Sequence, residues 1–244
     1  ETYLTSIGNA TNTVHTNLKT IRAILYEAIK QGHMPQELNP FFTFKLKKQK
    51  TEKIRPREDQ LQKIMELQPE LESVKLAKDM FLFSLYCAGI RAGDLLQLTP
   101  RNIHNKVLRY QMDKTDYNRV ITLVPAALAI YEKYSHTKPD EPIFPLLTKM
   151  DLIAPKKKLF SRISSCNSIL NKNLKKIAVA TEIDIPLTMH MARHGFSELA
   201  RKKGISIYDI SKALGHSSIA ITENYLESFD EDAMEGTMNE IFGV

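Results

Sequence analysis

Residues 188–225 read TMHMARHGFSELARKKGISIYDISKALGHSSIAITENY, and the fold prediction starts from this stretch. Its start and stop signals divide it into three consecutive helices. The first begins after a cap at Thr188 and ends near Gly204. The second runs from Ser206 to Gly215, and a third, capped by one of the two following serines, carries Tyr225. The stretch therefore predicts short helices that carry histidine, arginine and tyrosine side chains.

The remainder of the chain predicts a mainly α fold with one small antiparallel β-sheet. Two β-rich runs, 107–112 and 119–124, flank a polar turn and predict a hairpin. Helical periodicity or start signals predict further helices. They cover residues 11–31, 58–70, 73–88 and 125–134. Another helix is marked by Leu170, Leu174 and Ile177.

Composition divides the chain into four segments. Residues 1–44 are helical, and residues 45–57 form a basic linker that contains Pro56 and few large apolar side chains. Residues 58–228 form the main domain. Residues 229–244 predict an amphipathic tail helix, whose apolar face is formed by Met234, Met238, Ile241 and Phe242.

The overall composition is that of an ordinary globular protein. The 244 residues are 43% hydrophobic and 25% charged, with a net charge of +6. This excludes intrinsic disorder, and no apolar run is long enough to predict a membrane span. Two cysteines cannot build a disulfide framework or a zinc cage, so we expect a cytoplasmic protein without a secretory leader. Because the chain begins at Glu1 rather than Met, we expect a fragment of a longer protein.

Charge is distributed unevenly. Seven acidic and no basic residues follow position 222, whereas basic residues cluster in 45–57 and again in 149–176. One basic run alone is typical of a solvated surface, but two runs favour a polyanion such as DNA. The candidate DNA-contacting residues are Lys19, Arg22, Lys45, Lys47, Lys48 and Arg55.

Two features upstream of the quoted stretch can carry chemistry. Arg91 follows a helix that stops at Gly89, and Asp94 lies three residues later. Taken alone, such a pair can be purely structural. Lys114 lies on the hairpin turn, where a lysine can reach into a cleft, although most turn lysines face water.

Two further features lie within the quoted stretch. His190 and Arg193 are spaced i, i+3 and therefore share a helix face. His216 follows a glycine helix cap, and Tyr225 comes nine residues later. A capping histidine, a surface arginine and a buried tyrosine are the structural alternatives when each is considered alone.

Together these side chains suit phosphoryl transfer. Fixed cationic donors stabilise the charge that develops on a phosphate in transit, each worth roughly 10²–10³ in rate. A tyrosine hydroxyl has a pKa of about 10, so it attacks a phosphate only with help from a base or a positive field. The sequence has no acidic cluster at metal-ligand spacing and no Walker-type loop, so neither a metal nor another cofactor is predicted.

The order of these residues resembles that of the tyrosine recombinase (phage integrase) family. The similarity is carried by residues 88–98 around Arg91, by Lys114-Thr115 and by residues 193–225. Residues 28–32 and 39–41 resemble the end of the family's helical core-binding domain. The resemblance implies a recombinase catalytic fold over 58–228, preceded by a partial core-binding domain.

The resemblance also implies catalytic roles. The six residues are Arg91, Lys114, His190, Arg193, His216 and Tyr225. The tyrosine would be the nucleophile, and the two arginines would bind the non-bridging oxygens of the scissile phosphate. The lysine would protonate the leaving 5′ hydroxyl, the first histidine would act as general base or proton relay, and the second would hydrogen-bond to the phosphate. Asp94 would orient the first arginine.

The implied partners are double-stranded DNA and further copies of the chain. The family's reaction passes through a 3′-phosphotyrosine and a Holliday junction in a tetramer, with a possible accessory directionality factor, and no membrane. The 1–44 helices and the main domain would clamp the duplex, and the tail would dock on a neighbouring copy or on its own core. We expect a cytoplasmic, nucleoid-associated protein.

Three other interpretations remain open. A type IB topoisomerase shares the chemistry but would relax supercoils without strand exchange. A catalytically silent DNA-binding regulator would keep its effect after Tyr225→Phe. An unrelated helical interaction protein would require the order and spacing of the six residues to be coincidental.

Overall fold

The computed structural model describes residues 1–49, 54–134 and 138–216, together with Ser218 and Thr222. The chain divides into two compact units, Glu1–Glu52 and Lys53–Val244. The predicted helix that carries Tyr225 and the predicted tail helix over 229–244 lie outside the described residues. The boundaries that we assigned to the four segments stay predictions.

The first unit is built on one long helix. Helices α1 (Thr2–Ser6) and α2 (Thr11–Lys30) are followed by two 3₁₀ turns, Gln36–Leu38 and Pro40–Phe42. The side-chain amide of Asn12 exchanges two hydrogen bonds of 2.9 Å with the backbone of Gln49, which ties the start of α2 to the end of the described segment.

The second unit confirms the predicted mainly α fold with a small antiparallel sheet. Its helices are α3 (Glu58–Glu66), α4 (Glu72–Tyr86), α5 (Ala92–Leu96), α6 (Pro125–Tyr134), α7 (Lys149–Leu152), α8 (Lys156–Ala180), α9 (Met189–Lys202) and α10 (Ile207–Leu214). Its three strands, in sheet order, are β1 (Ile103–His104), β2 (Val107–Gln111) and β3 (Asn118–Thr122). The two-residue β1 and the two short helices α5 and α7 were not predicted, because elements this short contain too few residues to show a period.

Helix α4 forms the centre of the core. It contacts α6, α8 and α9, and side chains are buried on all of its faces. Phe81 and Phe83 are fully buried, and the Phe83 ring meets the edge of Phe144 at 5.5 Å between centroids. Burying one such side chain contributes about 1.5–3 kcal/mol. The loop that carries Arg91 therefore follows a helix whose end is packed into the core.

The hairpin of β2 and β3 lies beside that loop. Tyr110 pairs with Arg119 and Arg109 pairs with Val120, both in antiparallel register. The side chains of Leu108, Tyr110 and Arg119 are buried, whereas those of Arg109 and Val120 are exposed. An arginine on the buried face of this short sheet is unusual, and its partners are described below.

None of the described helices is both long and apolar enough to span a membrane.

Candidate catalytic site

Two glycines allow the segments of the site to approach one another. Gly89, at φ +67°, ends the turn after α4, and a Cβ atom there would lie 2.8 Å from the Cα of Arg193. Gly215, at φ +64°, caps α10, and a Cβ atom there would lie 2.6 Å from the Sδ of Met112. The left-handed backbone favours glycine at both positions, and at Gly89 the neighbouring backbone also leaves no space for a side chain. The first brings the Arg91 loop to α9, and the second brings α10 to the hairpin.

Arg193 is buried where these segments meet. Arg193 is only 3% exposed. One guanidinium nitrogen, Nη1, donates to the carbonyl of Gly89 at 2.9 Å, and Nη2 donates to the carbonyl of Leu214 at 2.6 Å. Arg193 is thus a buried cation that links the loop after α4 to the end of α10, and the surface alternative for this arginine does not apply.

Arg91 is differently placed. It is the N-cap residue of α5 and is partly exposed. Its Nη1 atom is buried and has no hydrogen-bond partner among the residues that the structure describes. Its charge acts on Asp94, His190 and His216. A desolvated cation with an unused donor, surrounded by the other candidate residues, is suited to bind an anion.

His190 lies on the first turn of α9, three residues before Arg193. Its ring meets the edge of the His194 ring at 4.5 Å between centroids. Desolvation and the positive charges of Arg193, Arg91 and Lys114 lower the pKa of His190. The imidazole is therefore neutral at pH 7 and able to accept a proton.

His216 follows the Gly215 cap. Its Nδ1 atom is 2.7 Å from the hydroxyl oxygen of Thr222. Burial, together with the charges of Arg193, Arg91 and Arg119, lowers the pKa of His216 to about 4. This ring is also neutral at pH 7. If Nδ1 accepts a hydrogen bond from the Thr222 hydroxyl, Nε2 carries the ring proton and can donate to a phosphate oxygen.

Lys114 is exposed on the hairpin turn. Hydrogen bonds from α5 and its C-cap residue hold this turn. The Oδ1 atom of Asp94 accepts a hydrogen bond of 3.1 Å from the backbone N–H of Asp113. The side chain of Gln97 donates to the carboxylate of Asp113 at 2.5 Å. The side chains of Asp94 in α5 and of Gln97, its C-cap residue, thus hold the residue that precedes the lysine.

The expectation that Asp94 orients Arg91 stays a prediction. Within the described ranges, no hydrogen bond or ion pair joins the two side chains, and the Oδ2 atom of Asp94 is buried without a hydrogen-bond partner. Desolvation raises the pKa of this carboxyl above its usual range. The physical reason for the different contact is position, because Asp94 lies within α5 beneath the hairpin turn while Arg91 caps the start of that helix.

Arg119 was not predicted as part of the site. It is 4% exposed, and its Nη1 atom donates to the Tyr110 hydroxyl at 3.1 Å. Its Nη2 atom donates to the carbonyl of Ala88 at 3.3 Å and to the carbonyl of Ala213. The only sequence signal was its place in a β-rich run, where the period of two assigns Arg119 to the same face as buried positions.

The remaining candidates divide between the units. Lys19, Lys45, Lys47 and Lys48 are exposed on the first unit, where Arg22 is partly buried, and Arg55 is partly buried in the second unit. His194 is 8% exposed inside α9. Tyr225 lies outside the described residues. The structure therefore brings together Arg91, Arg193, His190, His216 and the hairpin turn that carries Lys114, which we call the lysine turn.

Two family models and several known recombinases match the chain. Residues 55–232 match the model of the phage integrase family, and residues 1–48 match that of the phage integrase SAM-like domain. Tyrosine recombinase XerC of Rickettsia massiliae (strain Mtu5) is 26% identical over 203 residues, which cover 79% of this chain and 62% of the relative. Tyrosine recombinase XerA of Saccharolobus solfataricus is 27% identical over 177 residues, covering 71% and 54% respectively.

Solved structures share the fold. The Tn1549 transposon integrase (residues 82–397 of that protein), in complex with circular intermediate DNA, superposes with a TM-score of 0.68 at 18% identity and covers 97% of this chain and 81% of its own. A lambda integrase dimer bound to a COC′ core site has a TM-score of 0.60 at 21% identity, covering 86% and 59% respectively.

The family match covers most of the chain, although the chain spans about three fifths of the length of the XerC relatives it matches. Arg91, Lys114, His190, Arg193 and His216 lie within the matched range, and the described elements around them form the shared fold. The chain belongs to the phage integrase, or tyrosine recombinase, family.

Proposed function

We propose that the protein is a site-specific DNA recombinase that cuts and rejoins DNA strands through a 3′-phosphotyrosine. The observation that carries the proposal is the convergence of two arginines, two neutral histidines and the lysine turn at the junction of α5, α9, α10 and the hairpin. Tyr225 enters from the sequence, nine residues after His216.

The cations of this chain bind the scissile phosphate. Arg91 offers a buried donor that has no partner in the described part of the chain, and Arg193 offers a buried guanidinium on the same side of α9 as His190. Positively charged donors in this arrangement stabilise the charge that develops on the non-bridging oxygens. His216, as a neutral ring, adds a hydrogen bond rather than a charge.

Proton transfer uses the remaining groups. The Tyr225 oxygen attacks phosphorus while its proton passes to His190, and the bond from phosphorus to the 5′ oxygen breaks. Lys114 donates a proton to that departing oxygen, which leaves as a 5′ hydroxyl. In the second step, the 5′ hydroxyl of a partner duplex attacks the phosphotyrosine, the tyrosine leaves, and both protons return. The phosphodiester bond is exchanged without input of energy.

Strand exchange requires two duplexes and several copies of the chain. We propose a tetramer that exchanges one pair of strands at a time through a Holliday junction, with the tail helix contributing to assembly and a directionality factor setting the outcome. The Tn1549 integrase structure is a complex with circular intermediate DNA, and the lambda integrase dimer is bound to a core site, which supports duplex DNA as the substrate. Lys19, Arg22, Lys45, Lys47, Lys48 and Arg55 would contact its phosphates, in the cytoplasm where chromosomal and mobile-element DNA lie.

Covalent trapping tests the proposal. The protein is incubated in EDTA with nicked suicide duplexes that tile the DNA flanking its own coding region, and adducts are separated on denaturing gels. We expect a protein–DNA adduct with the wild type and none with Tyr225→Phe, while both proteins bind the duplex equally. Tyr208→Phe is the matched control, because Tyr208 is an exposed tyrosine on α10.

Three results would contradict the proposal. An adduct of equal yield in Tyr225→Phe would place the nucleophile elsewhere. Specific binding of a tiled duplex, with no adduct from the wild type on that duplex, would make the protein a DNA-binding regulator. Supercoil relaxation without exchange between two bound duplexes would assign the same chemistry to a topoisomerase.

A further inference from the structure

Arg119 is a buried cation for which the proposed mechanism has no use. It lies on the inner face of β3, the edge strand of the sheet, and is 4% exposed. Burying a guanidinium is costly unless its N–H groups are satisfied. Its nitrogens bond to the Tyr110 hydroxyl on β2 and to the carbonyls of Ala88 and Ala213. Two of these three acceptors lie outside the sheet, so the guanidinium connects the hairpin to two other segments.

The contacts of Arg119 parallel those of Arg193. Arg119 binds the carbonyls of Ala88 and Ala213, and Arg193 binds the carbonyls of the next residue in each segment, Gly89 and Leu214. Two guanidiniums thus bridge the same two backbone segments side by side. One segment leads directly to Arg91, and the other leads directly to His216.

We propose that Arg119 is a positioning residue that holds the Arg91 loop and the His216 turn at a fixed separation. The proposal rests on the proposed function, because it explains how two groups meet one phosphate. An incoming phosphate competes with the carbonyls of Gly89 and Leu214 for the Arg193 guanidinium. Arg119, anchored to the sheet through Tyr110, keeps its own bonds to the neighbouring carbonyls while this exchange takes place.

Arginine is suited to this task for a geometric reason. A planar guanidinium directs several N–H groups along fixed directions, so it can bridge acceptors on three segments at once. A lysine ammonium on a flexible stem keeps the charge but not the fixed fork. The turn at Gly215 also packs here, since a Cβ atom at Gly215 would lie 3.5 Å from the Cδ atom of Arg119. A misplacement of about 1 Å in a catalytic constellation can cost about 10² in rate.

The test compares Arg119→Lys and Arg119→Met with a matched control, Arg109→Met. Arg109 lies on the adjacent strand with its side chain on the exposed face, opposite Val120. Four quantities are measured for each protein: the melting temperature, the Kd for a nicked suicide duplex, the single-turnover rate of adduct formation at saturating DNA, and the NMR titration of His216.

We expect Arg119→Lys to remain folded and to bind DNA within about threefold of the wild type, while its adduct rate falls about tenfold. We expect about a 100-fold fall for Arg119→Met, as for a misplaced catalytic group. The His216 signals should shift in both variants, because the turn that carries this ring loses its anchor. Arg109→Met should match the wild type in all four measurements.

Three outcomes would overturn the inference. The first is a folded Arg119→Met protein with the wild-type adduct rate. The second is a rate loss in Arg119→Lys that equals its unfolded fraction, with unshifted His216 signals. The third is a wild type that forms no adduct together with unshifted His216 signals in Arg119→Lys. If the wild type forms no adduct but the His216 signals do shift, the proposed function fails while the anchoring of the turn by Arg119 stands.

Discussion

The two arginines assigned to the scissile phosphate occupy contrasting surroundings. Arg91 caps a short helix, is partly exposed, and keeps one buried donor without a partner in the described part of the chain. Arg193 is 3% exposed and links the carbonyls of Gly89 and Leu214. The same proposed role at the phosphate is therefore combined with different structural roles. The Arg91 guanidinium is available to the substrate, whereas that of Arg193 also holds the site together.

Arg193→Ala should have the largest effect. It removes a proposed phosphate ligand and leaves two buried carbonyls without their donor, so we expect adduct formation to fall by about 10³ or more. Each unsatisfied carbonyl costs about 1–3 kcal/mol, so we expect the free energy of unfolding to fall by about 2–6 kcal/mol. Suicide-duplex trapping and urea unfolding measure the two effects. A variant as stable as the wild type would mean that the two carbonyl contacts do not hold the fold.

Arg91→Ala should separate chemistry from stability. Its guanidinium supports no described hydrogen bond through Nη1, so we expect a fall in adduct rate of about 10²–10³ with a melting temperature within about 2 °C of the wild type. Arg101→Ala, an exposed arginine in the same unit, is the control for loss of surface charge. A large loss of stability in Arg91→Ala would remove the contrast between the two arginines.

Gly89→Ala should disturb Arg193 without removing it. The new Cβ atom would lie 2.8 Å from the Arg193 Cα in a left-handed backbone, so we expect about 1–3 kcal/mol of destabilisation and an adduct rate reduced about tenfold. Gly204→Ala is the matched control, because Gly204 has a similar φ of +71° and nothing within 4 Å of the added atom. Equal losses in the two variants would show that backbone strain alone, rather than contact with Arg193, sets the effect.

The pKa of His216 reports on both arginines. Burial and the charges of Arg193, Arg91 and Arg119 lower it to about 4 in the folded protein, so the unfolded chain binds more protons than the folded one below about pH 6.5. The free energy of unfolding should therefore decrease as the pH falls from about 6.5 to about 4. NMR titration should show that loss of the Arg193 charge raises the pKa more than loss of the Arg91 charge. Equal pKa values of His216 in Arg193→Ala and Arg91→Ala would contradict this order.

Asp94→Asn should have the smallest effect. The amide oxygen still accepts from the backbone N–H of Asp113, and the substitution removes a carboxylate whose burial already raises its pKa. We expect an adduct rate within about threefold of the wild type, whereas Asp94→Ala, which releases the lysine turn, should lose about tenfold. A large loss in Asp94→Asn alone would mean that the carboxylate charge, rather than the hydrogen bond to Asp113, is what the site requires from Asp94.

Local signals predicted much of the second unit. Ser206 accepts a hydrogen bond of 3.1 Å from the N–H of Asp209, as its place before a helix indicated, and Pro125 begins α6, which ends at Tyr134. Helix α8 extends further toward its N-terminus than its apolar residues suggested, since its first turns are polar and exposed. Caps and periods are visible in sequence because they join residues within about four positions.

The sequence by itself determined the helical class, the hairpin and the family's order of chemistry-bearing residues. Only the tertiary structure decided which partners those residues have. Arg193 bonds to carbonyls 104 and 21 positions away, and Arg119 bonds to carbonyls 31 and 94 positions away. No local pattern encodes such pairs, because they form only when the packing of α4, α9, α10 and the hairpin brings distant backbone segments within hydrogen-bond distance of one buried cation.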